Sequence, residues 1–174
     1  MVIYITFGVV VFSLIMIFFV KVNESFKSIT IAIEEAEINL ESILKKKFDL
    51  LNKAIEDVKG IAGKNSDMIN DIVALRSKKI SNQEFEMELS KIDKAFHELV
   101  DSKIKLKRNK DFMKSVDSIN DVESGLRATK NYYNMKVTEY NKLARRFPSN
   151  IVALFLRHKK LEHFNLSDEK ENQS

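Results

Sequence analysis

Residues 2–20, VIYITFGVVVFSLIMIFFV, carry no charge, and from Lys21 onward apolar and charged positions alternate in a helical rhythm. No glycine or proline falls between Gly8 and Gly60. Apolar side chains recur there at Phe26, Ile29, Ile33, Ala36, Leu40, Leu44, Phe48, Leu51, Ile55, Val58 and Ala62. Steps of three and four put them on one helix stripe and make a coiled-coil seam. The consecutive fours around Leu44 are a stutter, which relaxes supercoiling locally. Gly60 and Gly63 are the expected stop.

A second helix is predicted from Asn65 or Ser66, both good caps, with Met68, Ile72 and Leu75 on its stripe. Ser81 and Glu84 form a capping box inside it, where the helix restarts or bends. The stripe resumes at Phe85, Leu89, Ile92, Phe96, Leu99 and Leu106. Asn109 caps a third helix with the most regular register: Phe112, Val116, Ile119, Glu123, Leu126, Lys130, Tyr133, Val137, Tyr140, Ala144 and Phe147. Pro148 ends it, because proline disfavours helix in the residue before it. Ser149 or Asn150 can cap a short further helix.

Segments 21–59, 66–107 and 109–146 would each be about 57–63 Å long at ~1.5 Å per residue. Three helices of equal length, each with one apolar stripe and short connections, fold as an antiparallel bundle. The fold class expected is all-α: an N-terminal transmembrane helix continuing into an antiparallel bundle of three long helices plus a short C-terminal helix. The domains expected are an anchor over 1–21, a bundle over 22–165 and a disordered polar tail over 166–174.

The nineteen residues Val2 to Val20 reach about 28 Å as a helix, close to the ~30 Å of bilayer hydrocarbon. Fourteen of them are Val, Ile, Leu or Phe, which contribute on the order of −4 to −8 kcal/mol to insertion. Tyr4, Thr6, Gly8 and Ser13 offset part of that. A cleaved signal peptide would need a basic leader and small residues at the cleavage site, whereas Phe18-Phe19-Val20-Lys21 closes this run. An uncleaved anchor is expected. Lys21 and Lys27 follow it and no Lys or Arg precedes it. The positive-inside rule puts the N-terminus outside and the body in the cytoplasm.

Composition narrows the function. Lys and Arg number 29 against 25 Asp and Glu, and the two signs are interleaved, as on a solvated helix surface. A nucleic-acid footprint would gather its cations on one face, so no nucleic-acid partner is expected. With no cysteine, disulfides, thiolate catalysis and zinc–thiolate sites are excluded.

The Tyr133-Asn134 and Tyr140-Asn141 pairs, one heptad apart, and the following FPSNIVA resemble the C-terminal signature of the LemA family. KKKFDLLNKAIEDVKGIA over 45–62 resembles that family's basic-basic-aromatic-Asp-Leu block. LRS over 75–77, Phe112 and Glu123 also stand where its pattern has Ala-Arg-Ser, Phe and Glu. The resemblance covers roughly residues 22–165. Asn52 replaces a usual proline, Val122 a usual threonine, and Leu156-Arg157-His158 a usual Phe-Gly-Phe. The resemblance implies a bacterial, single-pass membrane protein with a four-helix bundle and implies no activity. Members are often encoded near membrane metallopeptidases and other envelope proteins, which implies a partner role.

Candidate sites are few. Glu123 and Lys130 occupy seam positions, where a charge is costly unless paired. An inter-helix ion pair of Glu123 with Arg76 or Lys46 is expected to set the register. Tyr133 and Tyr140 should pack inward, with Asn134 and Asn141 bonding a neighbouring helix. HKKLEH over 158–163 approaches an inverted zinc-peptidase pattern, but His158 and Glu162 are one residue too far apart and no third ligand is evident. Phosphate loops and Ser-His-Asp arrangements are absent, so no cofactor, metal or catalysis is expected. The apolar stretch with Phe147, Pro148, Ile151, Val152, Leu154 and Phe155 either covers the bundle tip over Ile61, Met68 and Ile69 or docks a partner. It and an exposed Lys45–Lys47 run are the expected interaction surfaces.

The expected function is a non-enzymatic, single-pass scaffold or adaptor of the bacterial cytoplasmic membrane. Its partners would be the lipid bilayer and other envelope proteins. A self-assembling homo-oligomeric coiled-coil array is the alternative, and a metal-binding protein the remote one.

Overall fold

The computed structural model describes residues 1–62 and 66–164, with side chains at 1–58 and 68–164. Gly63, Asn65 and the tail 166–174 lie outside the described residues. The protein is all-α, with no strand among the described residues. Helices run α1 Val2–Ala62, α2 Ser66–Ser77, α3 Asn82–Ser102, α4 Ile104–Lys107, α5 Lys110–Arg145 and α6 Ser149–Phe155. α1 is one uninterrupted helix through the apolar stretch, past Asn52 and past Gly60.

Residues divide into two compact units, and α1 and α5 supply segments to both. In the unit built from 37–131 and Phe164, the seam is buried as expected: Leu40, Leu44, Phe48, Leu51, Ile55 and Val58 from α1, Ile72 and Leu75 from α2, and Leu89, Ile92 and Phe96 from α3. Phe112, Val116, Ile119 and Leu126 complete it from α5.

The predicted second helix over 66–107 is three helices, and its first break is a reversal. The Ser81 capping box forms in full, with the Ser81 hydroxyl accepting from the Glu84 N–H and the Glu84 carboxylate accepting from the Ser81 N–H. It starts α3 afresh, and α2 packs back on α3. α2 runs antiparallel to α1, because Arg76 at its end lines a groove with Glu41, Lys45 and Asp49. α3 and α5 are antiparallel too, pairing Glu86 with Lys130 and His97 with Asn120. α5 therefore descends along α1, and Ile43 to Leu50 line one groove with Gly125 to Ser118. Four helices result, up, down, up and down, where one long second helix would have left α5 parallel to α1. Asn109 caps α5 as predicted, its Oδ1 accepting from the N–H groups of Asp111 and Phe112.

The other unit comprises 1–36 and 132–163. Val22, Phe26, Ile29 and Ile33 of α1 form a core with Val137 and Tyr140 of α5 and with Val152 and Ala153 of α6. α6 begins at Ser149 after a cis Phe147-Pro148 bond. Pro148 holds the cap position and no side-chain bond caps it, so the expected Ser149 or Asn150 cap does not form. Residues 2–18 make no core. α1 carries an apolar window of 18 residues with mean hydropathy 2.7, none of it buried, and is the one helix among the described residues long and apolar enough to cross a membrane.

Candidate functional site

Three helices bring charge to one layer of the 37–131 core. Lys47 of α1 is 2% exposed, and its ammonium lies 2.7 Å from Asp93 of α3 and 2.6 Å from Glu123 of α5. Glu123 also takes Arg127 Nε at 3.4 Å. His97 Nδ1 donates to the Asp93 backbone carbonyl at 3.0 Å when the ring carries its proton there, with the Asp93 Oδ1 also 3.0 Å away. His97 Nε2 meets Asn120 Oδ1 at 3.2 Å.

Burial works against charge on both Lys47 and Asp93, but the partners win. The charge and hydrogen bond of Asp93, then those of Glu123, hold the Lys47 ammonium above its ordinary range. The His97 hydrogen bond and the Lys47 charge keep the Asp93 carboxyl below the usual carboxylate range. Hydrogen bonding to Asp93 raises His97 to about 9, against partial burial. At neutral pH Lys47, Asp93 and His97 are therefore charged, each held so by a neighbour of opposite sign.

A second layer pairs Lys130 of α5 with Glu86 of α3 at 2.9 Å, with both side chains almost fully buried. Ser90 donates to Glu86, and the Lys130 ammonium lies over the Phe164 ring.

Glu123 is thus in a core ion pair, but its partner is Lys47 and not Lys46 or Arg76. Lys46 is exposed and lines the groove beside Asp121. Arg76 lines the groove with Glu41 and Asp49. The expected exposed run Lys45–Lys47 is interrupted, since Lys47 points inward while its two neighbours face outward. Sequence reasoning missed Lys47, Glu86 and Asp93, although spacing holds a signal for all three. Leu40, Leu44, Lys47, Leu51, Ala54 and Val58 step by four and three without a break, as do Glu86, Leu89, Asp93, Phe96 and Val100.

In the 1–36 and 132–163 unit, Tyr140 donates to or accepts from His158 Nδ1 at 2.9 Å, and the His158 ring stacks on Phe26 with centroids 4.1 Å apart. Asn141 clamps the chain after α6, not a neighbouring helix: its amide donates to the Leu161 carbonyl at 2.9 Å and its Oδ1 accepts from the Leu161 N–H at 3.0 Å. His163 meets the Thr138 hydroxyl at 2.8 Å. His158 and His163 are thus taken up by separate partners, and Glu162 is exposed. Among the described residues no three His, Asp or Glu side chains gather as metal ligands.

α6 is divided by face. Val152 and Ala153 are buried against α1. Phe147, Pro148, Ile151, Leu154 and Phe155 are exposed, and Phe155 lays its ring edge-on to Phe19 of α1 at 5.8 Å. Of the two expected roles of this stretch, cover over Ile61, Met68 and Ile69 or docking of a partner, neither describes its buried face, which is seated on α1 within this unit. Ile61 is outside the described side chains. A Schellman pair ends α6: the His158 N–H bonds the Ala153 carbonyl and the Arg157 N–H the Leu154 carbonyl. Arg157 there has φ 55°, at a position where glycine is the usual residue.

No curated protein matches the chain. Its residues 36–174, from the last seam residues before the charged layers to the end, match the LemA family. With that match, a wholly helical fold and one apolar N-terminal helix, the chain belongs to the LemA family, a group of membrane-associated proteins of unknown role.

Proposed function

We propose that this protein is a non-enzymatic, single-pass scaffold or adaptor of a bacterial cytoplasmic membrane, with its N-terminus outside and its body inside. The observation that carries this reading is α1: the same uninterrupted helix supplies the apolar stretch and the seams of both units. A segment so fused to a folded body has the form of a tether. The cationic flank at Lys21 and Lys27 supports the orientation. A non-enzymatic role agrees with the core charges, which pair with one another across helices. The exposed Lys45 and Lys46 remain a surface for partner proteins of the envelope, a membrane metallopeptidase among the classes to look for.

Crosslinking of the full-length protein in its native membrane, followed by identification of the captured proteins, tests this. Recurrent capture of envelope proteins, lost when Lys45 and Lys46 are reversed to Glu, is the expected result. Release of the full-length chain by carbonate washing would refute the anchor.

Self-assembly is the second reading. Ile31 and Ile38 favour it, one heptad apart on α1 and both more than half exposed. Concentration-dependent association in detergent that is lost in Ile31→Glu/Ile38→Glu would support it over the adaptor.

A further inference from the structure

α6 sits beside the last turn of the apolar stretch. Phe155 packs edge-to-face on Phe19, which closes the uncharged run with Val20 before Lys21. The inner face of α6 is fixed by Val152 and Ala153 against Val22 and Phe26. Its outer face leaves Ile151 59%, Leu154 81% and Phe155 77% exposed, with Phe147 at 75% beside it. Soluble helices do not present such a cluster to water without a partner. The flanks are cationic: Arg145 and Arg146 precede α6, Arg157, Lys159 and Lys160 follow it, and all five are exposed. Glu162 is the only acid from 145 to 163.

We infer that the outer face of α6 lies in the headgroup–acyl boundary of the bilayer that the anchor crosses, with its flanking cations on anionic lipid headgroups. This rests on the reading of residues 2–20 as a membrane span. Continuity decides the occupant. A span that ends at Val20 puts Phe19 at the edge of the hydrocarbon, and Phe155 touches Phe19 from the side. Apolar residues on one face with Lys and Arg beside them are the composition of a segment lying in the interface, and the cations suit an anionic leaflet. The helix end fits as well, since the Schellman bonds satisfy carbonyls that lipid could not. Seven residues would bind a membrane weakly alone, but the anchor holds them at high effective concentration.

The chain has no tryptophan and no cysteine, so a single introduced residue reports alone. Full-length Leu154→Trp and, separately, Ile5→Trp are reconstituted in vesicles of phosphatidylcholine brominated on the upper acyl chain, with and without phosphatidylglycerol. Leu154 is exposed, so its replacement leaves the bundle intact, which circular dichroism checks. In vesicles with phosphatidylglycerol, the Leu154→Trp emission should shift to the blue and lose about half its intensity, as for a side chain ~5–10 Å into the boundary. Quenching should weaken without phosphatidylglycerol, and equal quenching in both vesicles overturns the role of the cations. Ile5→Trp quenched with Leu154→Trp untouched overturns the inference and leaves the span standing. Neither quenched removes the span, and the inference with it. Leu154→Cys that forms a disulfide dimer while Leu154→Trp stays unquenched assigns the face to a second copy of the chain and refutes the lipid.

Discussion

Replacing Lys47 by methionine keeps most of its volume and removes the charge that two carboxylates share. Both lie within 2.7 Å of the Lys47 nitrogen, so their nearest oxygens are at most about 5 Å apart, and at an effective dielectric of ~20 their repulsion is about 3 kcal/mol. Asp93 and Glu123 are mostly shielded from water, and breaking a buried pair from one side costs about 3–5 kcal/mol. His97 and Arg127 stay behind and relieve part of this, which favours the lower end. About 1 kcal/mol moves the midpoint ~2–4 °C in a chain of this size, so the full-length variant in detergent should melt about 10 °C below the parent at neutral pH. The acid response sharpens the test. In the parent, the lowered Asp93 contributes stability that is complete above its ordinary value of 3.8 and is lost as pH falls through its folded value. In the variant, two carboxylates face each other without the ammonium between them, so mild acid should recover stability. A variant within about 3 °C of the parent, with the same acid slope, would refute the shared-charge reading. Replacing Lys47, Asp93 and Glu123 together by leucine or methionine should restore most of the loss, since a matched apolar layer is often as stable as an ionic one.

His97 gives a second pH signature. Its folded value of about 9 stands above the ordinary 6.5, so its stabilisation is complete below pH 6.5 and fades as pH rises to about 9. The shift corresponds to about 3 kcal/mol, and partial exposure reduces this to roughly 1–2 kcal/mol. His97→Gln should flatten the stability profile over that window in chemical denaturation. Arg157→Gly should raise the melting midpoint by about 1–3 °C, since a left-handed residue costs ~1–2 kcal/mol and glycine returns part of that as entropy; a lower midpoint refutes it. Asn141→Ala should strip two hydrogen bonds from Leu161, costing about 1–3 kcal/mol, and speed tryptic cleavage after Arg157, Lys159 and Lys160. Ser81→Ala should cost about 1 kcal/mol by removing the cap of α3, read as a lower urea midpoint.

The seams were legible because burial enforces their period. Phe26 to Val58 on α1 and Phe112 to Tyr140 on α5 are where apolar spacing puts them, with Glu123 and Lys130 as the charged exceptions. Lys47 was not legible in the same way. It lies between Lys46 and Phe48, and a stripe two residues wide at the stutter let Phe48 claim the seam. Only the partners on α3 and α5 decide that Lys47 turns inward. The path at 78–81 was half legible. Ser81 and Glu84 announce a helix start, but KKIS has no glycine or proline to tell a bend from a reversal. That one choice sets the direction of α5 against α3. Six apolar residues in a row at 151–156 signal burial of some kind, and which of them face protein depends on where the chain delivers them.

Glu86 and Asp93 are one heptad apart on α3, and so are Glu123 and Lys130 on the antiparallel α5. Leucine seams repeat every heptad and would accept α5 displaced by one such step. The charges would not: Asp93 would face Lys130 as well as Lys47, and Glu86 and Glu123 would be stranded in oil. The two ionic layers work like the wards of a lock, admitting a single vertical alignment among several that grease alone would tolerate.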